Sequence, residues 1–162
     1  MAKILFINPE KCVGCMACVL ACSLQQGNLI GPAKSRILPV RLKKQIINIP
    51  SVCRQCIKPL CADACPMGAI SKDDKMRSVR VDPDSCIACG MCMTICPIGG
   101  ISVDSQAGHA IKCELCEGDP LCVRFCGYGA LEYIEEAEAH IKIKKEGINK
   151  LAHLLERIAT QS

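Results

Sequence analysis

Apolar residues in this chain form short runs that cysteine, glycine and proline interrupt every few positions. The segment from Arg36 to Ile49 is rich in isoleucine, leucine and valine with partial alternation, and the segment from Arg77 to Val81 follows a polar turn at 72–75. Both patterns predict small β-hairpins. After Gly147 the apolar spacing becomes helical and predicts a short amphipathic helix that carries Ile148, Leu151, Leu154, Leu155 and Ile158.

The C-terminal part of the chain differs from the rest, because cysteines stop and charge rises beyond Leu131. This change divides the chain into a predicted domain over residues 1–131 and an extension over residues 132–162. The pattern of residues 132–145 is ambiguous. Packing on its own domain is the usual role of an amphipathic helix such as the one after Gly147, and docking into a partner is the alternative. Truncation before Ile148 separates the two, because it weakens partner binding only if the helix docks.

The composition changes this picture, since 16 of the 162 residues are cysteine while the chain has two Phe, two Tyr and no Trp. Large side chains that usually build a core are therefore scarce. The N-terminus carries no apolar signal segment before Cys12, so we expect a cytoplasmic protein whose thiols stay reduced. Metal clusters would then cross-link the loops in place of a large core, and the apoprotein should be largely unfolded.

The cysteines form four quartets, and each quartet ends in a C-x3-C step. The first and third quartets match the C-x2-C-x2-C-x3-C spacing of bacterial 4Fe-4S ferredoxins, whereas the middle gap grows to four residues in the second and to five in the fourth. The pattern predicts that all sixteen cysteines are ligands of four 4Fe-4S clusters. The quartets are Cys12, Cys15, Cys18 and Cys22; Cys53, Cys56, Cys61 and Cys65; Cys86, Cys89, Cys92 and Cys96; and Cys113, Cys116, Cys122 and Cys126.

The quartets also repeat in pairs. The first and third share the residues that lead into them, and the second and fourth share a Pro-Leu-Cys step, at 59–61 and 120–122, followed by a Gly-Ala turn. Two tandem halves of two quartets each are implied. The predicted fold class is therefore α+β, with two bacterial ferredoxin-like 4Fe-4S modules related by internal duplication, small β-hairpins and a C-terminal helix.

The last cysteine of each quartet has a special position, because it lies one helical turn beyond the third. Cys18 and Cys22, or Cys61 and Cys65, are predicted to share a face of a short helix at about 5.4 Å along its axis. Such a residue is badly placed to close its own loop, and in two-cluster ferredoxins it ligates the neighbouring cluster. The proline that follows it in that motif is present at 66 and 97, whereas Ser23 and Gly127 depart from it.

The loops between the first three cysteines of a quartet need small residues, so that backbone amides can approach the sulfur atoms. The residues that meet this need are Gly14, Ala17, Ala88 and Gly90. A single C-x2-C is shared with zinc ribbons and redox dithiols, so a zinc-bound structural or nucleic-acid module is one alternative, and it predicts a colourless protein. His109, His140 and His153 are not needed as ligands.

No catalytic motif accompanies the cysteines. The sequence has no G-x-G-x-x-G after a strand, no P-loop and no arrangement of Ser, His and Asp typical of a nucleophilic enzyme. We therefore expect a protein that is not itself an enzyme, with the chemistry on another chain.

The formal net charge of +4 counts every cysteine as neutral. Four clusters with their thiolates add roughly −8, so the holoprotein sits near −4 and nucleic acid is not an expected partner. The basic runs are short, at 41–44 and 142–145. The uncharged stretch from Ser85 to Val103 is long enough to cross a bilayer, but its ligand cysteines, Pro97 and glycines are explained by cluster wrapping, so we expect no transmembrane helix.

From Ile7 to about Leu131 the chain resembles the four-cluster 4Fe-4S electron-transfer subunits of the dimethyl sulfoxide reductase type. That group includes short soluble forms serving tungsten aldehyde oxidoreductase-type enzymes, among them benzoyl-CoA reductase. The resemblance implies two stacked ferredoxin-like modules that exchange ligands. The implied ligand sets are Cys12, Cys15, Cys18 with Cys126; Cys113, Cys116, Cys122 with Cys22; Cys53, Cys56, Cys61 with Cys96; and Cys86, Cys89, Cys92 with Cys65.

The resemblance also implies a function. We expect an electron-transfer subunit that relays single electrons between a catalytic subunit, of the tungsten or molybdenum pterin type, and another carrier or subunit. Membrane-bound members of the group carry a C-terminal anchor or long insertions, and this chain shows neither. The alternatives are a free-standing polyferredoxin and the partner subunit of a hydrogenase or carbon monoxide dehydrogenase.

Overall fold

A computed structural model describes residues 3–27, 31–42, 47–73 and 75–159. The chain divides into two compact units, one over Ile7–Glu132 and one that contains residues 3–6 and 133–159. Within the described ranges it forms short strands and helices in the order β1 (Lys3–Ile7), α1 (Ala17–Gly27), β2 (Leu38–Leu42), β3 (Ile47–Ser51), α2 (Leu60–Asp63), β4 (Ile70–Asp73), β5 (Ser78–Val81), α3 (Met91–Ile95), β6 (Ile101–Asp104), β7 (His109–Lys112), α4 (Leu121–Arg124), β8 (Leu131–Glu135) and α5 (Glu136–Ala159). Short 3-10 turns lie at Pro9–Lys11, Pro32–Lys34 and Leu115–Gly118. The α+β class is confirmed.

The strands pair two by two. Strands β2 and β3, β4 and β5, and β6 and β7 form antiparallel hairpins, and β1 pairs with β8. Both predicted hairpins are present. The residues that connect β2 to β3, at 43–46, lie outside the described residues.

The hairpin between β4 and β5 differs from its prediction in where it turns. Strand β4 continues to Asp73, which still pairs with Ser78. Asp73 Oδ1 then accepts hydrogen bonds from the N–H groups of Lys75 and Met76, at 2.9 and 3.2 Å. This side chain mimics a backbone turn, so the chain reverses after the aspartate and not at Lys72.

The hairpin between β6 and β7 was not predicted from the sequence. It turns in the same way, because Asp104 Oδ1 accepts hydrogen bonds from the N–H groups of Gln106 and Ala107 at 2.9 and 3.2 Å. The second and third quartets are thus each followed by a hairpin with an aspartate at its turn. The internal repeat extends to the strands between the quartets.

The helices around the quartets correct one prediction. Only α1, which is 11 residues long, carries both the third and the fourth cysteine of its quartet. Cys61 and Cys65 do not share a helix, because α2 ends at Asp63. Pro66 and Pro97 disfavour the helical conformation for the cysteine before them, and Cys96 is indeed extended, with φ −73° and ψ 115°. Ser23 imposes no such restriction, so α1 continues to Gly27.

The core of the unit over Ile7–Glu132 is built from small apolar residues. Ile70, Val79, Cys92, Ile101 and Ala110 form a buried cluster that joins the β4–β5 and β6–β7 hairpins to α3. Several ligand candidates pack against this cluster, namely Cys61, Cys65, Cys86 and Cys96. The cysteine sites are therefore part of the core.

The C-terminal helix is longer than predicted, since α5 begins at Glu136 and passes through Gly147. A mid-helix glycine costs about 1 kcal/mol, which is too little to break a helix of 24 residues. The negative charges of Glu136 and Glu138 in the first turn interact favourably with the positive N-terminal end of the helix dipole. Glu138 also forms an ion pair with Lys142 at 3.2 Å. The apolar residues Ile148, Leu151, Leu154, Leu155 and Ile158 are between 52% and 66% exposed. Whether they dock into a partner stays a prediction.

The uncharged stretch from Ser85 to Val103 forms loops, α3 and part of β6. Across the residues that the structure describes, no helix is both long and apolar enough to span a membrane.

Candidate metal centres

The sixteen cysteines are all free thiols. The linings of two cavities and the neighbouring thiols of Cys18 and Cys122 divide them into four groups. Each group contains three cysteines of one quartet and the last cysteine of another. We name each group after its first loop cysteine: the Cys12 site, the Cys53 site, the Cys86 site and the Cys113 site. Among the described residues, no three His, Cys, Asp or Glu side chains meet closely enough to hold a single ion.

The Cys86 site surrounds a cavity in front of α3. Its wall combines four thiols with apolar side chains such as Met67 and Ile70. Left-handed backbone at Ala88 and Gly90, with φ of 54° and 79°, curves the loop around the cavity. The N–H of Ala110 donates to Cys86 Sγ at 3.3 Å. The thiols of this site are Cys86, Cys89, Cys92 and Cys65.

The Cys53 site surrounds a second cavity, of about 160 Å³. Gly100 forms one wall: its N–H donates to Cys96 Sγ at 3.3 Å, and a Cβ added to it would lie 2.8 Å from Cys53 Cα. Only glycine fits there, although the sequence gives no direct sign of this contact. The loop of this site is left-handed at Gln55, with φ of 50°. The thiols of this site are Cys53, Cys56, Cys61 and Cys96.

The Cys12 site forms at the start of α1. The pKa of the Cys18 thiol is raised to about 11, most strongly by burial and then by the neighbouring thiols of Cys126, Cys12 and Cys15 in that order. These four cysteines therefore lie close together. The loop between them is left-handed at Gly14 and Met16, with φ of 74° and 68°.

The Cys113 site is the most deeply buried of the four. The pKa of Cys113 is raised to about 12 and that of Cys122 is also raised, in both cases most strongly by burial and with a smaller contribution from the thiol of Cys22. Cys22 Sγ accepts a hydrogen bond from the N–H of Arg36 at 3.2 Å. The loop is left-handed from Leu115 to Glu117. The thiols of this site are Cys113, Cys116, Cys122 and Cys22, of which all but Cys116 are buried.

Two basic side chains lie beside these sites. Burial raises the pKa of Cys116, and the nearby Arg36 guanidinium partly opposes this rise. Arg36 Nη1 also donates a hydrogen bond to the Lys112 carbonyl at 2.8 Å. Lys112 lines the cavity of the Cys53 site and is only 1% exposed. Its charge lowers the pKa of Cys61, which burial raises more strongly.

These residues fit iron-sulfur clusters. Buried thiols with a raised pKa stay protonated at neutral pH unless a cation stabilises the thiolate, and a metal core supplies that cation. Each site brings four thiols together, and a backbone N–H donates to a sulfur atom at the Cys113, Cys53 and Cys86 sites. Among the described residues, the buried Arg36 Nε has no hydrogen-bond partner, and the backbone N–H of the same residue donates to Cys22 Sγ.

Four residues of these sites were not predicted from the sequence: Arg36, Gln55, Gly100 and Lys112. The sequence holds one signal for Lys112: a charged residue stands between the apolar pair Ala110 and Ile111 and the predicted ligand Cys113. The predicted small residues Gly14, Ala88 and Gly90 do occupy the left-handed positions of the loops. His109 is partly exposed and hydrogen-bonds locally to the Ala107 carbonyl at 3.0 Å.

Four thiol-lined sites on hairpins and short helices define a ferredoxin-type protein with several clusters. Comparison with protein families agrees: the 4Fe-4S dicluster domain matches residues 44–136, and a 4Fe-4S binding domain matches residues 3–24. The chain belongs to the 4Fe-4S dicluster domain family.

Known relatives include subunits of oxidoreductases. The polyferredoxin-like subunit of an aliphatic sulfonate oxidoreductase from Pyrococcus furiosus is 38% identical over 133 residues, which are 80% of this chain and 76% of the relative. The beta subunit of an NADH-dependent phenylglyoxylate dehydrogenase from Aromatoleum evansii is 34% identical over 138 residues, which are 84% of this chain and 31% of that larger protein.

Among solved structures, the active site complex BamBC of benzoyl coenzyme A reductase with benzoyl-CoA contains a chain that is 26% identical, with a TM-score of 0.48 over 96% of this chain and 97% of that one.

The chain is therefore a 4Fe-4S electron-transfer protein of the oxidoreductase-subunit type, and sixteen cysteines fit four 4Fe-4S clusters. The predicted cofactors and general function are confirmed. The assignment of individual cysteines to individual clusters stays a prediction.

Proposed function

We propose that this chain is the non-catalytic subunit of a cytoplasmic oxidoreductase complex. It relays single electrons between a catalytic subunit of the tungsten or molybdenum pterin type and another carrier or subunit. The observation that carries the proposal is the arrangement of four cysteine sites within one small unit. Relatives that are subunits of oxidoreductases support it.

The proposed ligand sets follow the four groups. Each cluster takes three cysteines from one loop and a fourth from another quartet, as the neighbouring thiols of Cys18 and Cys122 and the linings of the two cavities suggest. The sets are Cys12, Cys15, Cys18 and Cys126; Cys113, Cys116, Cys122 and Cys22; Cys53, Cys56, Cys61 and Cys96; and Cys86, Cys89, Cys92 and Cys65.

We further propose that electrons pass along the four sites in the order Cys12, Cys113, Cys53 and Cys86. Helix α1 joins the first two, since Cys18 lies close enough to Cys122 to raise its pKa. The Cys53 thiol similarly raises the pKa of Cys113, which joins the second and third sites. Ile70 at the Cys86 site and Ile101 at the Cys53 site belong to one buried cluster, which supports the last step.

The two ends of this row are accessible to partners. Cys15 at one end and Cys89 at the other are exposed, and exposed apolar side chains adjoin them, among them Val13 and Ile87. Exposed apolar surface beside a cofactor is typical of a contact region for another protein. The Cys53 site also has one exposed thiol, Cys56, whereas the Cys113 site is interior.

Anaerobic purification from the native source tests the proposal. Iron, sulfide, zinc, molybdenum, tungsten and nickel would be measured against each polypeptide present. About sixteen irons for this chain, together with a tungsten or molybdenum subunit, support the proposal. A nickel-containing partner would instead indicate a hydrogenase or carbon monoxide dehydrogenase.

The same measurement distinguishes a second candidate function from the first. The alternative is a free-standing polyferredoxin, which the exposed thiols of three sites, Cys15, Cys56 and Cys89, also allow. About sixteen irons on a lone chain that never co-purifies with a larger subunit would support it. A colourless protein with zinc in place of iron would contradict both.

A further inference from the structure

Lys112 is a buried lysine at the wall of the Cys53 site. Its side chain is 1% exposed, and its Nζ donates to three oxygen atoms: the Val79 carbonyl, the Cys113 carbonyl at 3.2 Å and Gln55 Oε1 at 3.4 Å. All three acceptors are uncharged, so the hydrogen bonds satisfy the donors of the ammonium group without neutralising its charge.

Gln55 fixes the position of this ammonium group. Its Oε1 accepts a hydrogen bond from the Val79 N–H at 2.7 Å, and its Nε2 donates to the Cys113 carbonyl at 2.7 Å. The amide orientation is therefore determined, and its oxygen faces Lys112. Because Gln55 lies in the loop between Cys53 and Cys56, the network ties Lys112 to the ligands of the site.

A buried cation is costly unless an opposite charge is near. Lys112 and Cys61 line the same cavity, so the thiolates of a cluster bound at the Cys53 site would supply the opposite charge. A 4Fe-4S core with four thiolates carries about −2 when oxidised and about −3 when reduced by one electron. No bond forms or breaks in that change.

We propose that the buried charge of Lys112 raises the reduction potential of the cluster held by Cys53, Cys56, Cys61 and Cys96. A fixed positive charge at the cavity wall stabilises the more negative, reduced state more than the oxidised state. The inference rests on the ligand set of the proposed function. Lys112 acts on that cluster through space and is not one of its ligands.

A redox titration of the anaerobically purified holoprotein, followed by EPR, tests the inference. Lys112→Gln should lower the midpoint potential of one cluster and leave the other three unchanged. Lys112→Arg should keep the midpoint near that of the native protein because it keeps the charge. Lys58→Gln is the matched control, since Lys58 lines the same cavity but is exposed and its charge is screened by water.

A second variant guards against misfolding of the first. Gln55→Glu leaves Lys112 in place but sets a carboxylate beside its ammonium group, so it should lower the same midpoint. If Lys112→Gln loses iron, Gln55→Glu decides. If Lys112→Gln or Gln55→Glu keeps its full iron content and all four midpoint potentials are unchanged, the inference is overturned. The proposed function would remain intact. An iron content well below sixteen in the native holoprotein would instead count against the proposed clusters themselves.

Discussion

At the scale of single residues, the space around the cysteines depends on a few backbone contacts. Gly100 is the clearest case, because its N–H donates to Cys96 Sγ while its Cα lies against the backbone of Cys53. Cys53 and Cys96 come from different quartets. One glycine thus holds together the two chain segments that form the Cys53 site.

Gly100→Ala should therefore destabilise the holoprotein by about 1–3 kcal/mol, as expected for overpacking against backbone. Gly127→Ala is the matched control, since an added Cβ at Gly127 has no atom within 4 Å. Thermal unfolding followed by loss of cluster absorbance measures both. Equal midpoints for the two variants would contradict the assigned role of Gly100.

The exchange of ligands leads to a second prediction at this scale. Cys22→Ser should damage the cluster held by Cys113, Cys116 and Cys122, and should leave the cluster of the Cys12 loop intact. Cys18→Ser, one helical turn earlier, should have the opposite effect. Resolved EPR signals of the two variants report which cluster is lost, and damage to the Cys12 cluster by Cys22→Ser would refute the exchange.

These residues also show how far the sequence could be interpreted. The cysteines were recognisable because their spacing along the chain carries the information. The roles of Gly100, Gln55 and Lys112 were not, since each depends on a contact with a residue far away in sequence, such as Cys53 for Gly100. Periodicity and local motifs hold no record of such contacts.

At the scale of elements, Pro66 and Pro97 disfavour the helical conformation for the cysteine before each of them, whereas α4 ends at Arg124 although Gly127 follows its quartet. The predicted helical turn between the third and fourth cysteine holds only for α1, where Ser23 follows the quartet. The hairpins that followed clear alternation were predictable. The β6–β7 hairpin was missed because most of strand β6 lies inside the cysteine-rich, uncharged run that ends at Val103. The start of α5 was missed because Gly147 was interpreted as a boundary, whereas a single glycine does not interrupt a helix of this length.

The turn of the β6–β7 hairpin carries an ion pair, between Asp104 Oδ2 and Lys34 Nζ at 2.6 Å. This contact holds the pKa of Asp104 at about 2, below the ordinary value for an aspartate. Because the folded-state pKa is depressed, the stabilisation is fully present above about pH 4 and is lost as the pH falls toward 2. Asp104→Asn should lower the thermal midpoint by a constant amount between pH 5 and 8.

Gln106→Ala is a suitable control for this prediction, because Gln106 lies in the same turn and takes part through its backbone N–H. Its midpoint should match that of the native protein. A gap between native and Asp104→Asn that widened steadily with pH between 5 and 8 would count against the assigned ion pair.

Helix α5 presents apolar side chains that are more than half exposed. If this face docks into a partner, replacing Ile148 and Leu151 by serine should weaken binding at least tenfold and leave the thermal midpoint unchanged. Asn149→Ser is the control on the same helix. Binding to the co-purified subunit can be measured by titration. Unchanged binding with a lower midpoint would favour packing on the protein itself.

At the scale of the whole molecule, we expect the clusters to dominate both charge and folding. The chain carries a formal charge of +4 with neutral cysteines. Four clusters with their thiolates lower this charge by roughly 8, so the holoprotein is near −4. Most large fully buried side chains are Leu or Val, and several of them lie beside cysteine sites.

Removal of iron should therefore reverse the direction of electrophoretic migration at pH 7. Chelator-treated protein should move toward the cathode and holoprotein toward the anode, and the circular dichroism of the treated protein should become largely that of an unfolded chain. A native-like circular dichroism spectrum after full iron removal would contradict the expected unfolding. Zinc-reconstituted protein gives a control for metal binding without an iron core.

The crossing of quartets has a consequence for biosynthesis. With the proposed ligand sets, the order in which sites can close differs from the order in which their first cysteines leave the ribosome. The Cys86 and Cys53 sites have all their ligands once residue 96 is made, the Cys113 site only at Cys122, and the Cys12 site last, at Cys126. Cys12, Cys15 and Cys18 are made first, yet they wait without a fourth ligand through most of translation. A nascent chain stopped between Cys122 and Cys126 would carry three complete sites and one open one.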